Sequence, residues 1–300
     1  MAFFRAVWNL LLALWYVLRA MAMFCIPRSW RKRKDVLGEI VLVTGAGSGM
    51  GRLMAIDFAK RNACVVLWDV NKSGNEETMR MIQAFDGNVS AYTVDVTNAD
   101  DVYKVAAKVK GDIGDVTILV NNAGVVTGKP LLDCPDHMIK RTMDVNATSH
   151  FWILKAFLPA MMASNRGHIV TIASLAGFFP VNKLVDYCAS KFAAVGLHKT
   201  LRLELLLQGY DGINMTLVCP TFVSTGMFQG VKANLASPEY VVAKIMDSVL
   251  LNEGLLCVPG YAYLLILLSF VIPEKLALLN TRTSGLGASM DTFTGRNKNE

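Results

Sequence analysis

From residue 40 onward the chain alternates short, mostly apolar runs with longer stretches of helical periodicity, and this alternation limits the fold more than any other feature. The runs are Ile40 to Val43, Cys64 to Trp68, Ser90 to Val94, Ile118 to Val120, Ile169 to Ile172 and Met215 to Val218. Between the first four lie stretches with one apolar face, Arg52 to Arg61, Glu76 to Phe85 and Val102 to Lys110. Strands joined in this way by helices cross over right-handedly, which makes them parallel and puts helices on both faces of one sheet. The pattern predicts an α/β fold with a doubly wound parallel sheet in a single domain.

The first run leads into Thr44-Gly45-Ala46-Gly47-Ser48-Gly49-Met50-Gly51, placed between a strand and a helix. Glycines there let backbone approach a pyrophosphate, and the helix N-terminus offers free N–H groups and positive dipole. Such a pattern alone is weak. It gains weight because Asp69 ends the next strand eighteen residues after Gly51, where a carboxylate can accept hydrogen bonds from both adenosine ribose hydroxyls. The same carboxylate repels a ribose phosphate, which favours NAD and leaves NADP possible, with Lys72 nearby to soften the preference. The alternative for Asp69 is a solvated turn residue. Together these features make the sheet a Rossmann-type one.

Tyr187 and Lys191 stand four apart in Tyr187-Cys188-Ala189-Ser190-Lys191, on one helical face. A tyrosine titrates near pH ~10, so it acts as a base at neutral pH only where a cation favours its phenolate. Lys191 supplies such a cation, although an isolated Tyr-x-x-x-Lys match is common by chance. The four histidines form no metal-binding spacing, and no metal is expected. The six scattered cysteines are read as free thiols, Cys188 among them as a packing residue.

The ends of the chain differ from its body. Phe3 to Ile26 is almost wholly apolar, broken by Arg5, Asn9 and Arg19, and a basic cluster follows it. The net charge of +6 resides there: residues 1–34 carry seven basic groups and no acid, which leaves 23 basic against 24 acidic groups in the rest. A neutral body lacks the basic stripe that nucleic acid requires, whereas basic residues beside an apolar helix bind anionic lipid or fix orientation. The mean hydropathy of +0.38 is high for a soluble enzyme, and the apolar ends account for much of it. Tyr261 to Ile272 is a second apolar stretch, suited to an interfacial helix, to a lid over a greasy pocket or to a core helix. The polar residues from Thr281 read as a loose tail. The expected division is a membrane anchor at 1–27, a basic juxtamembrane segment at 28–35, a dinucleotide-binding domain at 36–252, and an apolar segment with its tail at 253–300.

Over roughly residues 36–250 the sequence resembles the short-chain dehydrogenase/reductase family. The resemblance rests on the Thr44 to Gly51 segment, Asp95, Asn121-Asn122-Ala123-Gly124, Asn146, Ser174, the Tyr187/Lys191 pair, and Pro220 with Thr225. The apolar N-terminus with its basic cluster, Val66-Leu67-Trp68-Asp69, His150-Phe151-Trp152 and Thr225-Gly226-Met227-Phe228 are similar to the membrane-associated branch containing retinol and 17-beta-hydroxysteroid dehydrogenases. The resemblance implies an NAD(P)-dependent oxidoreductase interconverting a lipophilic alcohol and its carbonyl, retinol and retinal foremost. A 17-beta-hydroxysteroid dehydrogenase and a non-catalytic lipid-droplet surface protein are the alternatives.

It also implies residue roles. Tyr187 is the general base, Lys191 lowers its pKa and binds the nicotinamide ribose, Ser174 holds the substrate oxygen, and Asn146 holds a water leading from Lys191 to solvent. Gly45, Ser48, Gly49, Met50 and Gly51 border the pyrophosphate, Asp69 the ribose, Asp95 and Val96 the adenine. Asn122, Ala123 and Gly124 underlie the adenosine half, Val223 and Thr225 approach the carboxamide, and Pro220 also borders the cofactor. A homodimer is expected by the same analogy, at the endoplasmic reticulum membrane or a lipid droplet, with the catalytic domain facing the cytosol. Met50 stands where isoleucine or leucine is more usual.

Overall fold

The computed structural model describes residues 1–283 and 286–295, and the chain divides into two units, Met1–Lys34 and Asp35–Glu300. In the first, helix α1 (Ala2–Cys25) is followed by a short turn of 3-10 helix at Arg28–Trp30. Trp8, Leu10, Leu11, Leu14, Trp15 and Leu18 are all exposed. Among the described residues no helix is long and apolar enough to cross a membrane.

The second unit is built on seven parallel strands in the order β3-β2-β1-β4-β5-β6-β7. These are β1 (Ile40–Thr44), β2 (Cys64–Asp69), β3 (Val89–Thr93), β4 (Ile118–Asn121), β5 (Gly167–Ile172), β6 (Ile213–Pro220) and β7 (Leu255–Val258). All six runs expected from the sequence are strands here. The seventh was not foreseen, because its four residues lie where the sequence turns from alternation to a long apolar stretch. Helices α2 (Gly49–Lys60), α3 (Lys72–Gln83), α4 (Ala99–Asp112), α5 (Asp136–Met143), α6 (Ser149–Ser164), α7 (Val185–Leu207) and α8 (Pro238–Leu250) form the crossovers. Side chains alternate across the pleat. Val41, Val43, Ile118 and Val120 accordingly pack under α2 and α8, with Met54, Phe58, Ile245 and Val249. Leu42, Val66, Trp68 and Leu119 pack on the other side, with Val102, Ile153 and Phe157 of α4 and α6.

Because β1 neighbours both β2 and β4, the chain winds outward in opposite directions from this pair, and a crevice opens at their carboxyl ends. Thr44 stitches that crevice. Its hydroxyl accepts from the Asn122 and Ala123 amides at 2.9 and 3.1 Å.

Helices α9 (Ala262–Ser269) and α10 (Glu274–Thr283) follow β7. Ala262 and Ile266 pack with Ala173, Leu217 and Cys257, while Leu264, Leu267, Phe270, Val271, Leu276 and Leu279 are exposed. The polar C-terminus is not loose along its described residues 286–295. Lys232 N–H donates to Ser289 C=O at 2.9 Å and Thr294 N–H to Gln229 C=O at 3.0 Å. Composition misled here, because backbone hydrogen bonding and two apolar side chains, Met290 and Phe293, suffice to fix a polar segment.

Candidate active site

The turn from β1 into α2 is shaped by contacts that only glycine permits. A Cβ on Gly51 would lie 2.0 Å from the Gly45 carbonyl oxygen, and one on Gly47 would lie 2.9 Å from Asp69 Oδ2. Gly45, at φ +67°, has room for no side chain against Ala123. Arg52 locks the turn from outside, donating to Gly47 C=O at 2.6 Å and pairing with Glu77 at 2.6 Å. Ser48, in extended conformation, starts α2 and leaves the first helical N–H groups directed at the crevice.

Asp69 accepts from Gly47 N–H and from Asn71 N–H, each at 2.8 Å, so its carboxylate is pinned beside the glycine turn. It is not simply a solvated turn residue. Lys72 stands apart from it on α3, paired with Glu76 at 3.8 Å and largely exposed. At the end of β3, Asp95 accepts from the Thr97 amide and hydroxyl at 3.0 and 2.7 Å.

The opposite end of the crevice is formed by β5, β6 and α7. Ser174 caps a 3-10 turn (Leu175–Gly177), accepting from Ala176 N–H at 3.1 Å. Tyr187 and Lys191 occupy the first two turns of α7 and are both buried. The Ser174 hydroxyl stands near enough to the Tyr187 phenol to favour its ionised form. Burial nevertheless pushes the phenol above its ordinary range, the Ser174 hydroxyl opposing it only in part. Lys191 Nζ donates to Ile172 C=O at 3.0 Å and lies 5.7 Å from the Tyr187 ring centroid. Burial pushes its ammonium down to about 8. The lowered tyrosine anticipated from the pairing is thus opposed here by desolvation, which acts on both partners. Behind them His150 and His198 are buried, and burial first, then nearby cations, pushes them down to about 3 and about 4, which keeps both neutral.

One cavity of about 640 Å³ joins the two ends. It is lined by Gly45, Ser48, Gly49, Met50, Gly51, Asp69, Asp95, Val96, Asn122, Ala123 and Gly124, and further along by Ser174, Tyr187, Lys191, Pro220, Val223 and Thr225. Asn146 is the expected site residue that does not line it. It sits in a π-helical turn (Asp144–Thr148) between α5 and α6, fully buried. Its Oδ1 accepts from Val125 N–H at 2.8 Å, while Nδ2 donates to Val125 C=O at 2.9 Å and Ser190 Oγ at 3.0 Å. Both amide hydrogens therefore hold backbone and α7.

The sequence reading did not assign Met227 and Phe228, which line the mouth near Tyr187. Phe228 meets the Tyr187 ring edge-on at 5.8 Å and Phe222 at 5.0 Å. Nor did it find His137, Lys140, Arg141 and Asp144, which border the cavity from α5 and its end and carry no local motif. None of Tyr261 to Ile272 lines this cavity. The glycine cradle, the carboxylate beside it and the helix N-terminus fit a dinucleotide.

The short chain dehydrogenase family matches residues 39–236. Epidermal retinol dehydrogenase 2 of Mus musculus is 46% identical over 275 residues, covering 89% of either chain. Retinol dehydrogenase 10-B of Danio rerio is 40% identical over 323 residues, covering 98% of this chain and 93% of that one. A short-chain dehydrogenase/reductase from Burkholderia phymatum, solved in complex with NAD, superposes with a TM-score of 0.74 at 25% identity, over 82% of this chain and 96% of its own. With the family match spanning most of the sheet and full-length relatives at this identity, the chain belongs to the short-chain dehydrogenase/reductase family.

Proposed function

We propose that this NAD(P)-dependent oxidoreductase interconverts a lipophilic alcohol and its carbonyl at a membrane surface, with retinol as the alcohol. The observation that carries the reading is a single cavity in which a dinucleotide cradle at one end meets Ser174, Tyr187 and Lys191 at the other, beside Met227 and Phe228. Similarity to retinol dehydrogenases at 40–46% identity supports the choice of alcohol.

The chemistry such a cofactor supplies is hydride acceptance from the alcohol carbon, and hydride return in the reverse direction. Tyr187 takes the hydroxyl proton as the carbonyl forms and gives it back in reduction. Because burial, aided by Cys188, holds the phenol high, proton removal needs a cation close by, and the Lys191 ammonium is the chain's own. Ser174, which lines the same end of the cavity as the phenol, holds the substrate oxygen and stabilises the charge that develops on it. Asn146 keeps Val125 and α7 in register, so that Gly124 stays against Lys191.

Exposed apolar surface supports the membrane part of this reading. Trp8, Leu11 and Trp15 on α1, beside the basic run Arg31 to Lys34, suit an interface rich in anionic lipid. Leu264, Leu267 and Phe270 on α9 add apolar surface of the same kind. A retinoid partitions into lipid, so an enzyme held there meets its substrate at high local concentration. Endoplasmic reticulum or lipid-droplet membrane with a cytosolic body agrees with the positive N-terminal segment.

The test is NADH formation by membrane-bound enzyme given NAD and all-trans-retinol, with a 17-beta-hydroxysteroid and a long-chain fatty alcohol in parallel. Turnover of retinol that disappears in Tyr187→Phe, with dinucleotide binding retained, is the expected result. Turnover of the steroid alone would move the substrate. Silence with all three would leave a non-catalytic surface protein.

A further inference from the structure

The loops after β4, β5 and β6 surround the alcohol end of the cavity, and each is tied to the same short C-terminal segment. From the β6 loop, Lys232 N–H donates to Ser289 C=O, while Gln229 and Gly230 carbonyls accept from Thr294 N–H at 3.0 Å and Thr292 Oγ1 at 2.5 Å. From the β5 loop, Asn182 donates to Gly287 C=O at 2.8 Å and Lys183 pairs with Asp291 at 2.6 Å. At the β4 loop the Phe293 ring lies over Gly128 so closely that a Cβ there would stand 2.1 Å from it. Gly230 shows the same relation, its missing Cβ falling 2.1 Å from the Thr292 carbonyl. Both glycines also have positive φ, +70° and +79°.

The inner side of the segment is apolar. Met290 is 1% exposed and packs in one cluster with Leu184, Tyr187 and Phe228, and Phe293 packs against that cluster. The loop bearing Met227 and Phe228 is long and irregular. Its position over Tyr187 rests on these cross-chain ties as well as on its own turns.

We infer that residues 287–294 form a strap that holds the Met227 and Phe228 wall of the alcohol pocket from behind, making Met290 and Phe293, which do not line the cavity themselves, positioning residues that set specificity for the length of the apolar alcohol. The inference rests on the alcohol-oxidoreductase reading for its substrate. Met227 and Phe228 line the cavity beside Tyr187, so on this inference a long apolar tail is sensitive to the wall the strap holds, and a short alcohol with the same reacting head much less so.

The experiment compares all-trans-retinol with 3-methyl-2-buten-1-ol, which shares its allylic alcohol, in full-length wild type, Phe293→Ala and Phe293→Leu. Truncation should lower the retinol-to-short-alcohol ratio of kcat/KM by about tenfold, the scale of lost apolar contacts in a substrate pocket, chiefly through the retinol KM. Phe293→Leu should recover most of the ratio. An unchanged ratio would overturn the wall. A second readout needs no substrate: in Phe293→Ala, hydrogen exchange at the Lys232 amide should accelerate about tenfold or more as the strap loosens. Unaltered protection there would refute the strap even if wild type oxidised no alcohol, and silence with both alcohols would count against the substrate reading alone.

Discussion

Cofactor choice is the property most directly written into this site, and Asp69 is the residue through which to test it. Its carboxylate is held by two backbone N–H groups at 2.8 Å and is half-buried at the cavity wall, so it cannot swing away from a charged neighbour without losing both bonds. Two like unit charges about 4 Å apart repel by about 1 kcal/mol in water and about 4 kcal/mol at the effective dielectric of a protein surface. A phosphate on the adenosine ribose would meet a repulsion within that range, or NAD preferred by about fivefold to a thousandfold at ~1.4 kcal/mol per decade. In Asp69→Asn the amide oxygen can still accept from Asn71, but its NH₂ then faces the Gly47 N–H, donor against donor. Losing that charge-assisted bond costs about 1.5–3 kcal/mol and falls equally on both dinucleotides. The ratio of kcat/KM for NAD and NADP therefore isolates the charge. It should favour NAD in wild type, shrink with added salt, and fall toward unity in Asp69→Asn although both absolute values drop. A wild-type enzyme that used NADP equally well, or a variant whose ratio did not move, would refute the reasoning.

Three further outcomes follow from the same geometry. Gly51→Ala places a methyl 2.0 Å from the Gly45 carbonyl and 2.6 Å from Asn122 Nδ2. Backbone must shift at a cost above the about 1–3 kcal/mol of ordinary overpacking, and calorimetry should show a lower Tm with dinucleotide affinity lost. Lys191→Met should stabilise the protein while abolishing turnover. A lysine whose folded pKa falls from 10.5 to about 8 costs stability wherever it must be charged: the cost is full below pH 8 and is relieved as pH rises from 8 to 10.5. At ~1.4 kcal/mol per unit that cost is about 3 kcal/mol, offset by about 1 for the lost bond to Ile172. Urea unfolding should show a gain of about 2 kcal/mol at pH 7 that shrinks above pH 8, and no gain at pH 7 would count against it. Asn146→Ala strips the half-buried Val125 N–H and C=O and the buried Ser190 hydroxyl of a partner, at up to about 1–3 kcal/mol for each group left unpaired. Denaturant midpoints should record the loss, and Asn146→Asp should not restore it, because a carboxylate cannot donate to Val125 C=O.

What the sequence made legible divides along a physical line. Gly51 and Asp69 could be read because their partners, Gly45 and Gly47, lie close by in the chain and belong to one local device, a strand, a tight turn and a helix start. The Tyr187/Lys191 pair was legible for the same reason, since helical periodicity alone puts both on one face. Their electrostatics were not legible. The direction in which each pKa moves depends on how the packing of α7 buries both side chains, and desolvation outweighs the local pairing that the sequence displays. Asn146 could be singled out only by resemblance, and its contacts with Val125 and Ser190 show what no spacing suggested.

The C-terminal strap marks the far side of that line. Gly128 and Gly230 are as strictly required as Gly51, since a Cβ at either would strike Phe293 or the Thr292 carbonyl, yet neither belongs to a recognisable turn motif. Gly128 meets its partner more than 160 residues further along the chain, and Gly230 more than 60. A glycine needed for local φ announces itself through its neighbours, whereas one needed for a distant crossing does not. The same reasoning explains why polarity suggested a loose tail. Met290 and Phe293 are two apolar residues in an otherwise polar stretch, too few to produce periodicity but enough to close a cluster already formed by Leu184, Tyr187 and Phe228. In a fold whose dinucleotide end is built from local devices, the end that selects the alcohol is assembled from loops after three strands and a segment from the far end of the chain. Substitutions in that segment should therefore change which alcohol is oxidised before they change whether a dinucleotide binds.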